Sequence, residues 1–504
     1  MRNLLIFILL SCQLSIVNKA WAQTPKQIGD AFASTVNHYS LAETDSLATW
    51  LQKKYHKDAL VLTEIGRAYF QNRETKAAYK MLDKAIKVNP RLAAPYMQYG
   101  DIYKYYWGGH NALDSARYYY QKAINCEPKN PQPYRKMVDL LMFRYKLYAN
   151  KQTHVDTLKM QHMADSATTV LAELKRQNPD YPAELLMGDI YSKAGKLQKS
   201  SEAYAKVKDL LDAPQYNSYA VNYLLQGQYD ESLRLALEGI EKFPDYPQFN
   251  RTIMYCQAEL KHYDEALAAY KSLQQRSDSL VSLDYWYAGN IYMEKGDYKA
   301  ATLVFNNIYD TSDDMAAKHL NKVTPQFQRV TGGMKADGNY EKAAEIYKIY
   351  VDNKRKKTAY DYYVLAEIWK DMATDQTVET ERRHYAAQKA DSIYAVCQQT
   401  DADYETDLIY YWRGVCLWQI DADEKMENGR ALPHFAKLIE YYKGNSNAVS
   451  RKNRLLSSAY HYMVSYNVQH DNFRAAADYA MKYKSLNPDD TTFDTVINYY
   501  NKKR

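Results

Sequence analysis

The residues able to do chemistry are scattered along this chain rather than gathered. Its 504 residues include 11 histidines and 5 cysteines, and none stands at a spacing that binds metal or cycles electrons. HExxH, Cys-x-x-Cys and Cys/His zinc patterns are missing, as are GxSxG, Walker A and GxGxxG sequences. His154 and His162 could share a helix face, but two imidazoles without carboxylates make a poor metal site. They read as solvated loop residues. Asp421, Asp423, Glu424 and Glu427 imitate a calcium loop. Lys425 and Met426 fall where that loop needs an oxygen ligand and a glycine, so a solvated acidic turn is expected. Lys354 to Lys357, with Arg355 among them, form a basic run that fits an inter-helix turn better than a phosphate or lipid site. The expectation is a protein that is not an enzyme and carries no cofactor and no metal.

The N-terminus predicts export. Arg2 precedes the apolar run Leu4 to Leu10, and Ala20-Trp21-Ala22 supplies a cleavage signal before Gln23. Residues 1–22 are therefore read as a signal peptide and the periplasm as the destination. Leu9-Leu10-Ser11-Cys12 offers the alternative of a membrane-anchored lipoprotein or surface location through Cys12. No other apolar run is long enough for a transmembrane span. Beyond the signal, Cys126, Cys256, Cys397 and Cys416 remain, each in a helical pattern that suits a buried thiol. Only Cys397 and Cys416 are near in sequence, and a bond between them is not expected. Without Arg2 and Lys19, 64 basic and 60 acidic residues remain. That balance gives no footprint for nucleic acid.

The elements that position these residues are helices in a repeat. From Gly66, steps of three, nine, four, three and five reach Tyr69, Ala78, Leu82, Ala85 and Pro90. The same steps from Ala220 reach Tyr223, Ser232, Ala236, Gly239 and Pro244. From Gly188 and Gly289 they reach Tyr191, Ser200 and Tyr204, and Tyr292, Ala301 and Phe305. Steps of three and four put these side chains on one helix face. Small residues admit a neighbouring helix, and large ones fill the groove between helices. Gly195, Gly227, Gly296 and Gly338 stand where the two helices of a unit turn.

This frame, at about 34 residues, resembles the tetratricopeptide-repeat family. The resemblance implies an all-α, right-handed superhelical solenoid of about eleven helix–turn–helix repeats, with capping helices at each end. Residues 23–58 read as N-terminal caps, 59–313 as a first array, 324–488 as a second and 489–504 as a final cap. Extra residues fall near 145–164 and 371–382. The segment 311–323 lacks a strong apolar stripe and is the expected break between arrays, with 443–454 a second candidate. Much of the excess of 51 tyrosines falls in the repeating frame, where a ring fills the groove and its hydroxyl reaches the wet edge.

The resemblance also implies a concave groove lined by the first helix of each pair. Positions one after the small residue, or three before it, point inward there. These give Asp101, Asp139 and Asp189, then Arg135, Arg251, Trp286, Tyr363 and Tyr411, with Tyr255 and Trp418 beside them. The expected function is a non-catalytic scaffold of the cell envelope that binds a protein or peptide segment in an acidic-to-aromatic groove. The alternative is a glycan-binding surface protein using exposed Tyr and Trp. A plainer reading of the acids is surface pairing, Asp139 with Arg135 and Asp101 with Lys104, worth only about 0.3–0.5 kcal/mol each.

Overall fold

The computed structural model describes residues 24–38, 41–109, 111–150, 155–277, 279–444 and 449–503. The expected signal peptide (residues 1–22, with Cys12) and His154 lie outside them. Among the described residues every regular element is a helix, and none is a strand. The chain divides into two compact units, residues 1–256 and 257–504.

In the first unit, helices Pro25–His38 and Leu41–Lys54 precede five helix pairs. The pairs are Ala59–Gln71 with Thr75–Val88, Ala93–Tyr105 with Ala112–Cys126, Pro131–Tyr148 with Thr157–Gln177, Ala183–Lys193 with Leu197–Lys206, and Ala213–Leu225 with Tyr229–Lys242. Local signals start them. The Asp58 carboxylate accepts from the amides of Leu60 and Val61 at 3.0 and 3.1 Å. Asp212 and Gln215 form a reciprocal capping box. Such caps are each worth about 1 kcal/mol. Gly195 and Gly227 turn with φ of 71° and 74°, as their spacing predicts. The sites of Gly66, Tyr69, Ala78, Leu82 and Ala85 are all buried, so the repeating frame is the core. The insertion near 145–164 lengthens both helices of its pair, to 18 and 21 residues.

The second unit contains the pairs Ser282–Glu294 with Tyr298–Asn306, Ala316–Ala336 with Tyr340–Asn353, Ala359–Thr374 with Thr380–Thr400, Thr406–Asp423 with Leu432–Gly444, and Val449–Gln469 with Phe473–Leu486. Asp494–Lys503 closes it. The segment 311–323 lies inside this unit rather than between units. A single core from Met293 to Ile368 runs across it, anchored by Ile308, Val323 and Phe327. The apolar residues of helix Ala316–Ala336 start late, at Leu320, so the preceding stretch shows no stripe of its own.

Candidate partner-binding surface

The first unit shows why two of the three acidic positions recur. A Cβ on Gly100 would stand 2.3 Å from the ring of Tyr120, and one on Gly188 would stand 2.4 Å from the ring of Tyr204. The missing side chain lets the ring of the second helix lie against the backbone of the first. Each ring is buried, and each hydroxyl then needs a partner. The residue after the glycine supplies it. Tyr120 donates to Asp101 Oδ1 at 2.7 Å, and Tyr204 donates to Asp189 Oδ1 at 2.7 Å. The next pair completes each site: Lys136 Nζ reaches both oxygens of Asp101 at 3.0 and 2.8 Å. Gln215 Nε2 reaches both oxygens of Asp189 at 3.3 and 3.2 Å. Burial first, and then the adjacent carboxylate, push both phenols far above their ordinary range. Asp101 and Asp189 therefore join three helices across two repeats.

Asp139 is different because its repeat carries Leu171 where the others carry tyrosine. Leu171 is fully buried and has no hydroxyl to satisfy. Asp139 and Arg135 are both exposed on helix Pro131–Tyr148, and neither makes a hydrogen bond or ion pair among the described residues. The anticipated Arg135–Asp139 surface pair does not form, and Asp101 pairs with Lys136 rather than Lys104.

Four residues past Asp139 on the same face stands Phe143. Trp107 meets it edge-on at 5.7 Å between centroids, and Lys104 Nζ lies 5.9 Å from its ring. Tyr105 and Tyr106 continue the surface, with Phe70 edge-on to Tyr105 at 5.3 Å. Tyr105 is 59% exposed, Trp107 50% and Tyr106 44%. They stand where helix Ala93–Tyr105 ends, and the loop through Gly108 and Gly109 leaves open space around Gly108. Neighbouring helices touch these rings only at their edges, through Phe70 and Phe143, and at the Tyr106 hydroxyl through Thr75 at 2.9 Å. Sequence reasoning missed Tyr105, Trp107 and Phe143 because they fall outside the repeat frame. The consecutive aromatics before Gly108-Gly109, in the one early repeat with four extra residues, are the signal that marks them.

No protein-family model and no curated protein matches the chain. Solved structures do resemble it. The C-terminal part of a TPR repeat-containing protein from Cytophaga hutchinsonii is 18% identical over 56% of this chain and 98% of its own, with a TM-score of 0.29. A tetratricopeptide repeat protein from Parabacteroides merdae is 17% identical over 52% of this chain and 97% of its own, at 0.33. A thermophilic TPR protein of Thermus thermophilus is 17% identical over 43% and 99%, at 0.26. The assignment of fold rests on the chain's own helix pairs, with small residues seated under the rings of the second helices. The fold is an all-α array of tetratricopeptide-type helix pairs.

The other expected groove residues of this helical-repeat chain are largely engaged in packing. Tyr255 is buried and Arg251 half-buried in the first unit. In the second, Trp286 stacks on His319 at 5.7 Å and leans on Phe305 at 5.6 Å. Tyr363 meets Tyr394 and Tyr404 edge-on at 5.7 and 5.8 Å. Tyr411 lies against Trp412 at 4.8 Å. Trp418 packs on Phe435, Tyr462 and His461. The predicted aromatic half is thus mainly a set of inter-helix fillers.

The remaining polar clusters of the repeat protein are also internally engaged. Asp421 accepts from the amides of Arg430 and Ala431 at 2.8 Å each and from Tyr462 at 2.7 Å. The acidic turn is therefore a structural tie. Among the described residues, no group of three or more His, Cys, Asp or Glu is placed to hold a metal. Within the basic run, Lys354 binds Asp361 at 2.6 Å and Arg355 binds Asp310 at 2.7 Å. Cys397 and Cys416 are unpaired, buried thiols, and burial pushes Cys397 up to about 11. His434 is lowered to about 4, first by burial and then by Arg413, with Asp391 opposing. No described helix is long and apolar enough to cross a membrane.

Proposed function

We propose that this chain is a non-catalytic protein-binding scaffold of the bacterial cell envelope. The observation that carries the reading is the exposed surface of its first unit. There, unpaired Arg135 and Asp139 lead into Phe143, Trp107 and Tyr105. Trp, Tyr and Arg are the residues in which binding energy concentrates at protein interfaces. Here they sit on preformed helices, so ordering costs fall mainly on the partner. The free carboxylate and guanidinium, four residues apart, offer paired recognition of a polar group beside an apolar anchor. The envelope location rests on the export reading of residues 1–22.

The test is capture from an envelope extract of the native bacterium. Trp107→Ala with Phe143→Ala should abolish capture, Asp139→Asn should weaken it several-fold, and Asp189→Asn should leave it unchanged. Capture of the same partner by the aromatic double variant would refute the assignment. Specific retention on a glycan array, lost in the same variant, would replace it with the glycan-binding alternative. Mass spectrometry of the mature N-terminus distinguishes Gln23 from lipidated Cys12.

A further inference from the structure

The near balance of charge over the whole chain conceals one local excess. From Lys53 to Arg91 stand ten basic and four acidic residues, and the rest of the chain holds 56 of each. The excess of this stretch therefore equals the net charge of the chain, +6. Helix Thr75–Val88 carries most of it. Lys76, Lys80, Lys84 and Lys87 follow at steps of four, four and three, which puts them on one face. The opposite face, with Ala78, Met81, Leu82 and Ala85, is buried. Lys84 donates to Gln52, which brings the end of helix Leu41–Lys54, with Lys53 and Lys54, beside the same face. None of the four lysines makes an ion pair among the described residues. The acids of the stretch are mostly engaged. Asp83 accepts from Tyr99 at 2.6 Å, Asp58 caps helix Ala59–Gln71, and Glu64 pairs with Arg67 at 2.6 Å. Only Glu74, the N-cap of the lysine helix, has no side-chain partner among the described residues.

Later pairs of the first unit neutralise the same position. Lys84 stands six residues past Ala78, as Glu173 does past Ala167 in the third pair and Glu238 past Ser232 in the fifth. Glu173 pairs with Arg176 at 2.7 Å and Glu238 with Lys208 at 2.7 Å. The second pair keeps the positive charge, with Lys122 six residues past Ala116. Lys122 and Arg91 line one cleft of about 480 Å³ with Tyr96, Asn125 and Cys126. Neither is ion-paired among the described residues, and Lys122 Nζ lies only against the rings of Tyr118 and Tyr96, at 4.7 and 5.9 Å. Glu127, the acid beside the cleft, is occupied by the Ala93 amide at 2.8 Å and by Asn130 at 2.6 Å. Like charges four residues apart on a helix repel, and a negative partner lying on this face relieves them. The four lysines span about 16 Å of helix, too far for one small anion. Lysine is a compact point charge on a flexible stem, which suits scattered phosphates better than one fixed bidentate group. At the edge of the patch Lys54 Nζ lies 4.9 Å from the Trp50 ring and 5.2 Å from that of Tyr55. Trp and Tyr beside basic residues settle at the level of lipid headgroups.

We propose that this face binds the anionic lipid headgroups of a membrane, with one phosphate seated in the cleft of Arg91 and Lys122. It goes beyond the scaffold reading and uses none of the residues of the aromatic surface. The test is co-sedimentation of the mature, unlipidated full-length chain with vesicles at about 0.1 M salt, where the Debye length is about 10 Å. Vesicles of phosphatidylcholine mixed with phosphatidylglycerol should retain the chain, and vesicles of phosphatidylcholine alone should not. Each basic residue close to an anionic surface strengthens attachment about fivefold. Lys76→Gln with Lys80→Gln and Lys87→Gln should therefore weaken retention at least about thirtyfold, and Arg91→Gln with Lys122→Gln at least about tenfold. The melting temperature of the lysine variant should hold or rise, because repulsion along the helix is relieved. Lys199→Gln with Lys206→Gln and Lys271→Gln removes equal charge from exposed sites elsewhere. That control should change retention less than about threefold, since those charges lie beyond the screening length.

No retention, equal retention by neutral vesicles, or an equal loss in the control and lysine variants would overturn the proposal. So would displacement by inorganic phosphate at constant ionic strength, which would mark a site for a free anion. Tighter binding to polyglutamate than to the vesicles would assign the face to an acidic protein instead and would also overturn it. Vesicle retention should survive Trp107→Ala with Phe143→Ala. If that variant loses envelope capture while wild type fails to sediment with vesicles, the scaffold reading stands and only the membrane assignment falls.

Discussion

Tyr347 permits a sharp test of the packing rule. It is fully buried, and its hydroxyl has no hydrogen-bond partner. Thr331 precedes it by the same sixteen residues that separate Gly188 from Tyr204. The next position, where Asp189 stands in that earlier repeat, is Gly332. The orphaned hydroxyl is therefore the expected consequence of a missing acid. Gly332→Asp should supply it, because a Cβ at that position meets nothing within 4 Å. A buried unsatisfied hydroxyl costs about 1–3 kcal/mol, and a hydrogen bond to a charged group contributes about 1.5–3 kcal/mol. Desolvating the new carboxylate, and the nearby charge of Asp361, oppose this gain. A net coupling of about 1 kcal/mol is expected. Gly332→Ala, which gains only helix propensity of about 1 kcal/mol, is the reference. Urea unfolding of Gly332→Asp and Gly332→Ala, each with and without Tyr347→Phe, gives the coupling directly. Hydrogen exchange in helix Tyr340–Asn353 locates it even where the repeats unfold in steps. Coupling below about 0.3 kcal/mol would refute the argument that position 332 is a partner site for the second-helix tyrosine.

Three further outcomes follow from the same geometry. Gly100→Ala and Gly188→Ala should each destabilise by about 1–3 kcal/mol through overpacking against a buried ring, opposite in sign to Gly332→Ala, as denaturant midpoints would show. Asp101→Asn weakens the site shared by Tyr120 and Lys136 and should cost about 1–2 kcal/mol. Asp139→Asn should stay within about 0.5 kcal/mol while altering partner capture. Acidification should weaken the second unit. Burial lowers His319, His434 and His461 below the ordinary 6.5, so the unfolded chain takes up protons first. Stability is then complete above about pH 6.5 and is lost towards about 4, the value for His434, by at most about 1.4 kcal/mol per pH unit for each group. Melting temperatures between pH 7.5 and 5 would show the fall, and His434→Gln should flatten it.

The helical pairs, their turns and their buried faces were legible in the sequence because each depends on neighbours three to sixteen residues away. Gly188, Tyr204 and Gly195 announce one hairpin without reference to the rest of the chain. The division after Cys256 was not legible, and the segment 311–323 was a misleading candidate. Its anchors, Val323 and Phe327, pack on residues from Met293 to Ile368 that its own composition does not reveal.

The candidate site was legible only as a set of positions. Asp101, Asp139 and Asp189 hold equivalent positions in the repeat, each on the same face of its own first helix. Tertiary structure separates them, because the hydroxyls of Tyr120 and Tyr204 are taken out of water and must be satisfied, while Leu171 makes no such demand of Asp139. In the same way the aromatics expected in the groove became fillers, while Tyr105 and Trp107, at the end of helix Ala93–Tyr105, stayed exposed. By itself the sequence determined a tetratricopeptide-type repeat, since its period is a local property of helix packing. Which polar and aromatic side chains remain free for a partner was decided only in three dimensions, where a hydrogen bond or a ring contact from a distant helix consumes one and spares another.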